Sequence, residues 1–173
     1  MTVPPRLLAA VALVDPAPDA RVLEIGCGRG ALAALLLERL PAGHYTGLDR
    51  SATATAATAA RIADAIAAGR AEVLTTTLAE FRAEQVDLAL AVNVNAFWTG
   101  PASRELAVLA AALRPGGVLH LLYGSDGGAA PRTDVVDRLT GHLDAGGFVP
   151  EVAMPEHGGV RLLHVQAGRQ ALR

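Results

Sequence analysis

Residues 22–30 read Val-Leu-Glu-Ile-Gly-Cys-Gly-Arg-Gly, and this stretch decides the fold. The apolar run of residues 21–25 ends at a glycine, which is typical of a buried parallel strand. Residues 31–40 have the composition of a helix, so the three glycines form a turn between strand and helix. Glycine accepts positive φ and lets a ligand lie against bare backbone, and the following helix start offers unpaired N–H groups. The stretch therefore predicts a ligand-binding turn.

The next predicted strand, residues 44–48, carries a carboxylate at its tip, Asp49. Asp49 follows Gly26 by 23 positions (49 minus 26). A carboxylate at this place can accept hydrogen bonds from both hydroxyls of a ribose, as in the dinucleotide fingerprint. The turn, the strand and the acidic tip together predict a nucleoside site. The permissive dinucleotide pattern is also satisfied, as Gly26-x-Gly28-x-x-Ala31, so a nicotinamide cofactor stays open at this point.

The rest of the chain repeats the alternation of strand and helix. Strands are predicted over residues 72–76, 86–94 and 118–123, and helices over 6–14, 51–68, 101–113 and 133–145. Residues 148–154 and 160–165 are expected to form a terminal hairpin. We therefore expect one α/β domain over residues 1–173. Its sheet should be doubly wound, mostly parallel and seven-stranded with a C-terminal antiparallel β-hairpin, in the order 3-2-1-4-5-7-6.

Composition argues against several classes of function. The net charge is −2 and no run of basic residues occurs, which disfavours nucleic acid as a partner. Cys27 is the single cysteine, which is typical of a cytoplasmic protein without disulfides. The five histidines are dispersed, so we expect no metal site. No apolar run approaches the ~20 residues of a membrane span, and residues 6–14 are read as a helix rather than a secretory signal.

Four short stretches resemble, in order, the landmarks of class I S-adenosylmethionine-dependent methyltransferases. They are VLEIGCGRG at 22–30, TGLDRS at 46–51, DLAL at 87–90 and LRPGGVL at 113–119. The resemblance covers residues 21–123, and the hairpin follows where that family places its last two strands. LRPGG is much more specific than a glycine turn. The resemblance therefore favours a methyltransferase over a nicotinamide oxidoreductase and implies S-adenosyl-L-methionine as the cofactor.

The resemblance also implies which residues hold that cofactor. Asp49 matches the residue that binds the ribose hydroxyls, and Arg50 would lie beside the adenine. Where the family usually has an acidic residue for the adenine amine, this chain has Thr77, followed by Leu78. Asn93 matches the position that faces the transferred methyl. The glycine-turn residues matching the loop along the amino-acid and ribose parts are Glu24, Gly26, Cys27, Gly28 and Gly30.

The acceptor should lie at the carboxyl ends of the strands. Candidate catalytic residues there are Asn93, Tyr123 and His157, the last as a general base. The string from Asn93 to Trp98 places two amides on one strand face and then two aromatic rings. It is read either as an acceptor clamp or as amides that satisfy the local backbone and rings that anchor the next helix. Further candidates at this edge are Asn95, Phe97, Trp98, Ser125 and Asp126.

These features predict methyl transfer to a small-molecule acceptor by in-line displacement, in which a dedicated base is optional. Two alternatives remain: a non-catalytic module that binds S-adenosylmethionine, and an RNA or protein methyltransferase. The chain leaves little room for a lid over the acceptor, since only about twenty residues precede the first strand. Either the acceptor is sizeable and partly exposed, or a second subunit supplies the lid, and we expect a homodimer.

Overall fold

The computed structural model describes residues 3–82, 85–124 and 133–169. Helices and strands alternate through most of this length, and a short 3-10 helix, Leu78–Glu80, follows the third strand. The helices are α1 Pro5–Val14, α2 Ala31–Arg39, α3 Ala52–Arg61, α4 Ala63–Ala67, α5 Ala96–Thr99, α6 Ser103–Ala112 and α7 Thr133–Ala145. The strands are β1 Arg21–Ile25, β2 His44–Asp49, β3 Ala71–Thr75, β4 Val86–Val92, β5 Leu113–Tyr123, β6 Phe148–Ala153, β7 Glu156–His157, β8 Val160–Arg161 and β9 Leu163–Arg169.

Seven of these strands form one sheet in the order β3-β2-β1-β4-β5-β9-β6. Strands β1 to β5 pair in parallel, whereas β9 runs antiparallel to both of its neighbours. The predicted doubly wound sheet with its C-terminal antiparallel hairpin is therefore confirmed. The predicted order holds as well, with β9 as the seventh strand of the sheet.

The predicted boundaries of the final hairpin were wrong. Residues 160 and 161 do not belong to the long return strand, which spans Leu163–Arg169. They form β8 and pair instead with β7 in a separate two-stranded sheet. The reason is the turn Gly158-Gly159, in which both residues have positive φ (58° and 77°). Two consecutive glycines of this kind close a tight two-residue hairpin, so the chain reverses before the long strand starts.

Three other predicted boundaries also shift. The helix expected over 51–68 is interrupted at Ile62, whose backbone leaves the helical range (φ −113°, ψ 27°) while its side chain is buried. Strand β4 ends at Val92, because Asn93 adopts a left-handed conformation with φ 58°. Strand β5 begins at Leu113 rather than at 118, since Leu113 already pairs with Val86 ahead of an irregularity in the register.

Apolar side chains cover both faces of the sheet, and neighbouring residues of one strand serve opposite faces. Val22 belongs to a core cluster with residues of α1 and α2, whereas Leu23 belongs to a cluster with residues of α6 and α7. Leu36 of the first cluster and Leu109 of the second are both fully buried. Burial on both faces explains why the strands read as continuous apolar runs. The layering leaves the carboxyl edge of the sheet as the place where loops meet.

The glycine turn after β1 is held by β2 and α3. Gly26, Gly28 and Gly30 have φ of 74°, 55° and 76°, values that favour glycine. The carbonyl oxygen of Leu48 accepts hydrogen bonds from the N–H groups of Gly26 (2.8 Å) and of the next residue (2.9 Å). The Thr58 hydroxyl donates to the Gly28 carbonyl at 2.9 Å. The turn is therefore fixed from two sides.

Behind the turn, Glu24 is a buried carboxylic acid with one strong partner. Its side chain is 3% exposed, and its Oε2 accepts a 2.6 Å hydrogen bond from the Tyr45 hydroxyl. Burial raises the pKa of Glu24 to about 7; the Tyr45 hydrogen bond opposes this effect and the charge of Asp49 adds to it. Glu24 thus sits inside the protein, below the turn that it supports.

We predict that Gly30→Ala destabilises the protein more than Gly69→Ala. Both glycines have similar φ (76° and 69°), so both substitutions carry the left-handed penalty of about 1 kcal/mol. Only at Gly30 would the new Cβ meet Cα of Thr58 at 2.9 Å; at Gly69 it would meet nothing within 4 Å. Denaturant unfolding should therefore show an extra loss of about 1–3 kcal/mol for Gly30→Ala. Equal losses would contradict the close approach of the turn to α3.

A second prediction concerns Glu24→Gln. In the folded protein Glu24 keeps its proton up to about pH 7, whereas the unfolded chain releases it near pH 4.5. Folding therefore binds a proton in this window, and the stability of the wild type should fall, relative to Glu24→Gln, as pH rises from about 4.5 through about 7. The accumulated difference is of the order of 3 kcal/mol.

Chemical unfolding at a series of pH values measures this difference, and Glu38→Gln on the exposed surface of α2 is the matched control. The buried His120–His164 pair is present in every variant, so its titration cancels. A difference between wild type and Glu24→Gln that does not vary with pH would refute the assignment.

Candidate functional site

A cavity of about 550 Å³ opens at the carboxyl ends of β1, β2 and β4. This is the edge at which open α/β sheets bind their ligands, and the volume suits a small organic molecule. Seven of the fourteen residues of the wall are polar or charged, and the other seven are apolar or glycine. The wall is formed by Ile25, Gly26, Leu48, Asp49, Arg50, Thr76, Thr77, Leu78, Val94, Asn95, Ala96, Phe97, Thr99 and Glu105.

Asp49, at the tip of β2, has both carboxylate oxygens fixed by backbone. Oδ2 accepts from the Gly28 N–H at 3.0 Å, and Oδ1 accepts from the Ser51 N–H at 2.9 Å. Each oxygen of an ionised carboxylate can accept a second hydrogen bond. Asp49 is therefore oriented by the protein and still able to accept from two hydroxyls of a ligand at the cavity wall.

Beside Asp49, the glycine turn offers a surface without side chains. A Cβ placed on Gly28 would meet no atom within 4 Å, so the backbone there borders open space. Helix α2 starts directly after the turn, with Gly30 as its N-cap and no side chain capping it. Its first N–H groups point outward and favour an anionic group such as a carboxylate. The turn and Asp49 therefore offer adjacent places for an anionic group and for ligand hydroxyls.

The segment after β3 forms another part of the wall. Thr77 is exposed, and its hydroxyl donates to Oε2 of Glu80 at 2.7 Å. Leu78 is buried and belongs to the core cluster under the cavity. Arg50, Thr77 and Leu78, the residues that the resemblance placed around the adenine, thus all line the cavity.

Asn93 lies outside the cavity lining and bridges the ends of two strands. Its Nδ2 donates to the carbonyl oxygen of Gly124 at 2.8 Å, and its Oδ1 accepts from the Gly124 N–H at 3.0 Å. Asparagine tolerates the left-handed backbone found here better than most residues do. In this structure the amide therefore holds the end of β4 to the end of β5.

The other two predicted catalytic residues also lie away from the cavity wall. Tyr123 is 5% exposed, its hydroxyl donates to the Val94 carbonyl at 2.8 Å, and burial raises its pKa well above the usual range. It therefore fixes the backbone of a residue that does line the cavity. His157 is exposed on the hairpin of β7 and β8, which packs against α1.

The remaining predicted residues divide into three groups. Glu24 and Cys27 are buried behind the turn, and burial raises the pKa of the Cys27 thiol to about 11, which keeps it protonated at neutral pH. Asn95 and Phe97 line the cavity, while Trp98 packs against the core. Phe97 is only 1% exposed, so its ring also anchors α5. Ser125 and Asp126 lie outside the described residues.

Sequence reasoning missed several residues of this site. Glu105 and Thr99 line the cavity, yet only the folding of α5 and α6 over the sheet brings them there. His142 of α7 lies with Nδ1 3.0 Å from the Phe97 carbonyl, a contact between positions 45 residues apart. Thr58, whose hydroxyl holds the Gly28 carbonyl, gave a weak signal in the sequence as a polar residue within an Ala-rich helix. Glu105, Thr99 and His142 gave no signal.

Two negative findings apply to the residues that the structure describes. None of their helices combines the length and the apolar character needed to cross a membrane. They also contain no group of three or more histidine, cysteine, aspartate or glutamate side chains placed to hold a metal ion.

Comparisons with known proteins agree with this geometry. The model of a family described as "Methyltransferase domain" matches residues 23–119, whereas no curated protein matches the chain in sequence. Magnesium protoporphyrin IX methyltransferase from Synechocystis, solved with bound S-adenosylmethionine, superposes with a TM-score of 0.71 at 19% identity, over 96% of this chain and 79% of that one.

Two further solved structures are similar in fold. The N-methyltransferase NodS from Bradyrhizobium japonicum gives a TM-score of 0.70 at 18% identity and covers 96% of both chains. The [4+2]-cyclase SpnF gives 0.73 at 18% identity, over 97% of this chain and 82% of its own.

The matched family model spans more than half of the chain and includes the glycine turn, Asp49 and the LRPGG segment. The sheet order and the cavity at its carboxyl edge fit the same assignment. The chain therefore belongs to the methyltransferase domain family and is a class I methyltransferase whose cofactor is S-adenosyl-L-methionine.

Proposed function

We propose that this protein transfers a methyl group from S-adenosylmethionine to a small-molecule acceptor by in-line displacement. The observation that carries the proposal is the cavity that joins an oriented Asp49 to the bare glycine turn and to an apolar wall. The cavity provides a place for hydroxyls at Asp49 and a place for a flat base beside Leu78 and Phe97, and the start of α2 beyond the turn provides a place for a carboxylate. Two further cavities of the described residues contain no residue of the glycine turn.

The residues of the chain would act chiefly by holding and orienting. Asp49 accepts from the ribose hydroxyls, and the N–H groups at the start of α2 receive the carboxylate. When bound, S-adenosylmethionine supplies an electrophilic methyl group on a sulfonium. The acceptor's lone pair forms the new bond to carbon as the carbon–sulfur bond breaks, and the acceptor's proton leaves to water or to a base. Alignment and exclusion of water then supply most of the rate.

Asn93, Tyr123 and His157 remain our candidates on the acceptor side. The contacts of Asn93 and Tyr123 support a role in positioning, because Asn93 holds the backbone of Gly124 after β5 and Tyr123 holds the backbone of Val94 after β4. His157, exposed and with no described hydrogen bond, is the candidate for a base. Glu24 and Cys27, buried behind the turn, would support the cofactor through the backbone of Gly26, Gly28 and Gly30 rather than touch it.

A small molecule is the acceptor class that we favour. Magnesium protoporphyrin IX, in the name of one structural neighbour, is such a molecule. The net charge of −2 disfavours nucleic acid. We propose further that residues 1–173 act as one domain, in the cytoplasm, as a homodimer. A stable monomer in light scattering at micromolar concentration would contradict the homodimer.

One structural neighbour with a similar fold is named for a different reaction, a [4+2] cyclisation. The fold alone therefore does not establish methyl transfer, and methyl transfer needs a test of its own. Methyl-labelled S-adenosylmethionine should be incubated with the protein and a panel of small hydroxyl and amine compounds. We expect label to move to at least one acceptor, with S-adenosylhomocysteine formed in equal amount. Binding of the cofactor without transfer to any acceptor would instead support the non-catalytic module.

Asp49→Ala should weaken binding of S-adenosylhomocysteine at least a hundredfold. The substitution removes both acceptors for the ribose and releases the N–H groups of Gly28 and Ser51. Two charge-assisted hydrogen bonds correspond to roughly this loss or more. Calorimetric titration measures the affinity, and Asp64→Ala, on an exposed carboxylate of α4, should leave it unchanged. A change below threefold for Asp49→Ala would remove Asp49 from the site.

Asn93→Ala should lower kcat at least tenfold while changing the affinity for S-adenosylhomocysteine less than threefold. The amide clamp on Gly124 would be lost, although the cavity wall is untouched. Asn93→Gly is the companion variant, because glycine accepts φ 58° without strain but also lacks the amide. Both variants should lose turnover alike. Unchanged turnover in Asn93→Ala would show that the assigned role is wrong.

A further inference from the structure

Glu105, in the first turn of α6, is a cavity-lining carboxylate without a partner among the described residues. Its side chain is half-buried and forms part of the wall. Within the described parts of the chain it makes no hydrogen bond and no ion pair, in contrast to Asp49, which accepts from two N–H groups. A partly desolvated carboxylate without a donor is unfavourable. The wall therefore presents a charged acceptor that a bound molecule can satisfy.

The position of Glu105 relates it to one part of the cavity. Helix α6 packs against the 3-10 helix that carries Leu78. Leu78, Phe97 and Leu106 all belong to one core cluster, and the first two also line the cavity. Glu105 lies on the helix that packs against this 3-10 helix, and it lines the same cavity as Leu78 and Phe97, so we place its carboxylate in their part of the wall.

The chemistry of the cofactor, on which this inference rests, then identifies the group that Glu105 meets. The carboxylate of the cofactor goes to the start of α2, and its ribose goes to Asp49. The adenine is the part left for the apolar wall, and its exocyclic amine is a hydrogen-bond donor. We infer that Glu105 accepts a hydrogen bond from the adenine 6-amino group and thereby selects adenosyl over other nucleosyl ligands.

Two neighbours could compete for this role, and both are less suited to it. The proton of the Thr77 hydroxyl is already donated to Glu80, which leaves Thr77 an uncharged acceptor. Glu80 is exposed and does not line the cavity. A charged acceptor forms the stronger hydrogen bond. Glu105 is the carboxylate of this part of the wall that faces the ligand, and Glu80 provides a matched control.

The test compares two ligands by calorimetric titration. S-adenosylhomocysteine carries the 6-amino group and an N1 that accepts hydrogen bonds. S-inosylhomocysteine carries a carbonyl oxygen in place of the amino group and an N1–H beside it. The wild type should bind the adenosyl ligand at least tenfold more tightly, because the carboxylate of Glu105 repels that oxygen. In Glu105→Gln the amide can donate to it, so the preference should fall about tenfold or more. Glu80→Gln should keep the wild-type preference within twofold.

A preference in Glu105→Gln within twofold of the wild type would overturn the inference, as would an equal fall in Glu80→Gln. If Glu105→Gln binds neither ligand, Glu105→Ala is measured in its place. Affinities of Glu105→Ala for the two ligands that lie within threefold of each other support the inference. The same ratio of affinities as in the wild type, or loss of binding of the inosyl ligand alone, overturns it. Circular dichroism confirms that each variant is folded. A wild type that binds neither ligand would instead refute the cofactor itself, and the inference with it.

Discussion

The hydrogen bond from the Gly28 N–H to the carboxylate of Asp49 joins the two halves of the site. It links the glycine turn after β1 to the tip of β2 at 3.0 Å. The turn can adopt this position only because Gly30 lies against the backbone of Thr58, where a Cβ would be 2.9 Å from Cα. The cavity wall at the turn, the orientation of Asp49 and the start of α2 thus depend on one close contact between a turn and a helix. This contact gives Gly30 a steric reason as well as a conformational one.

On the acceptor side, the side chains of Asn93, Tyr123 and His142 contact backbone rather than line the cavity. Asn93 clamps Gly124, and Tyr123 holds the carbonyl of Val94, so both keep the ends of β4 and β5 in register. His142 of α7 lies within hydrogen-bond distance of the backbone carbonyl of Phe97 in α5. A displacement reaction needs alignment more than proton transfer, and rigid walls supply alignment. The arrangement is therefore consistent with methyl transfer without a dedicated base.

Much of this fold could be predicted because its signals are local. The apolar strand, the glycine turn and the acidic tip are each visible within a few residues, and α7 was predicted over the residues that it occupies. The helix break at Ile62 accompanies burial of its side chain, and the β7–β8 hairpin depends on a Gly-Gly turn. The predicted boundaries at both places were therefore wrong. The inward faces of Thr99 and Glu105 arise only from packing of α5 and α6 over the sheet, and no local pattern marks them.

The central claim is that one preorganised cavity binds S-adenosylmethionine. Parallel calorimetric titration of the purified protein with S-adenosylmethionine, S-adenosylhomocysteine and NAD tests it most directly. We expect saturable binding of the first two ligands with one site per chain, and no binding of NAD. Binding of NAD alone, or of none of the three, would contradict it.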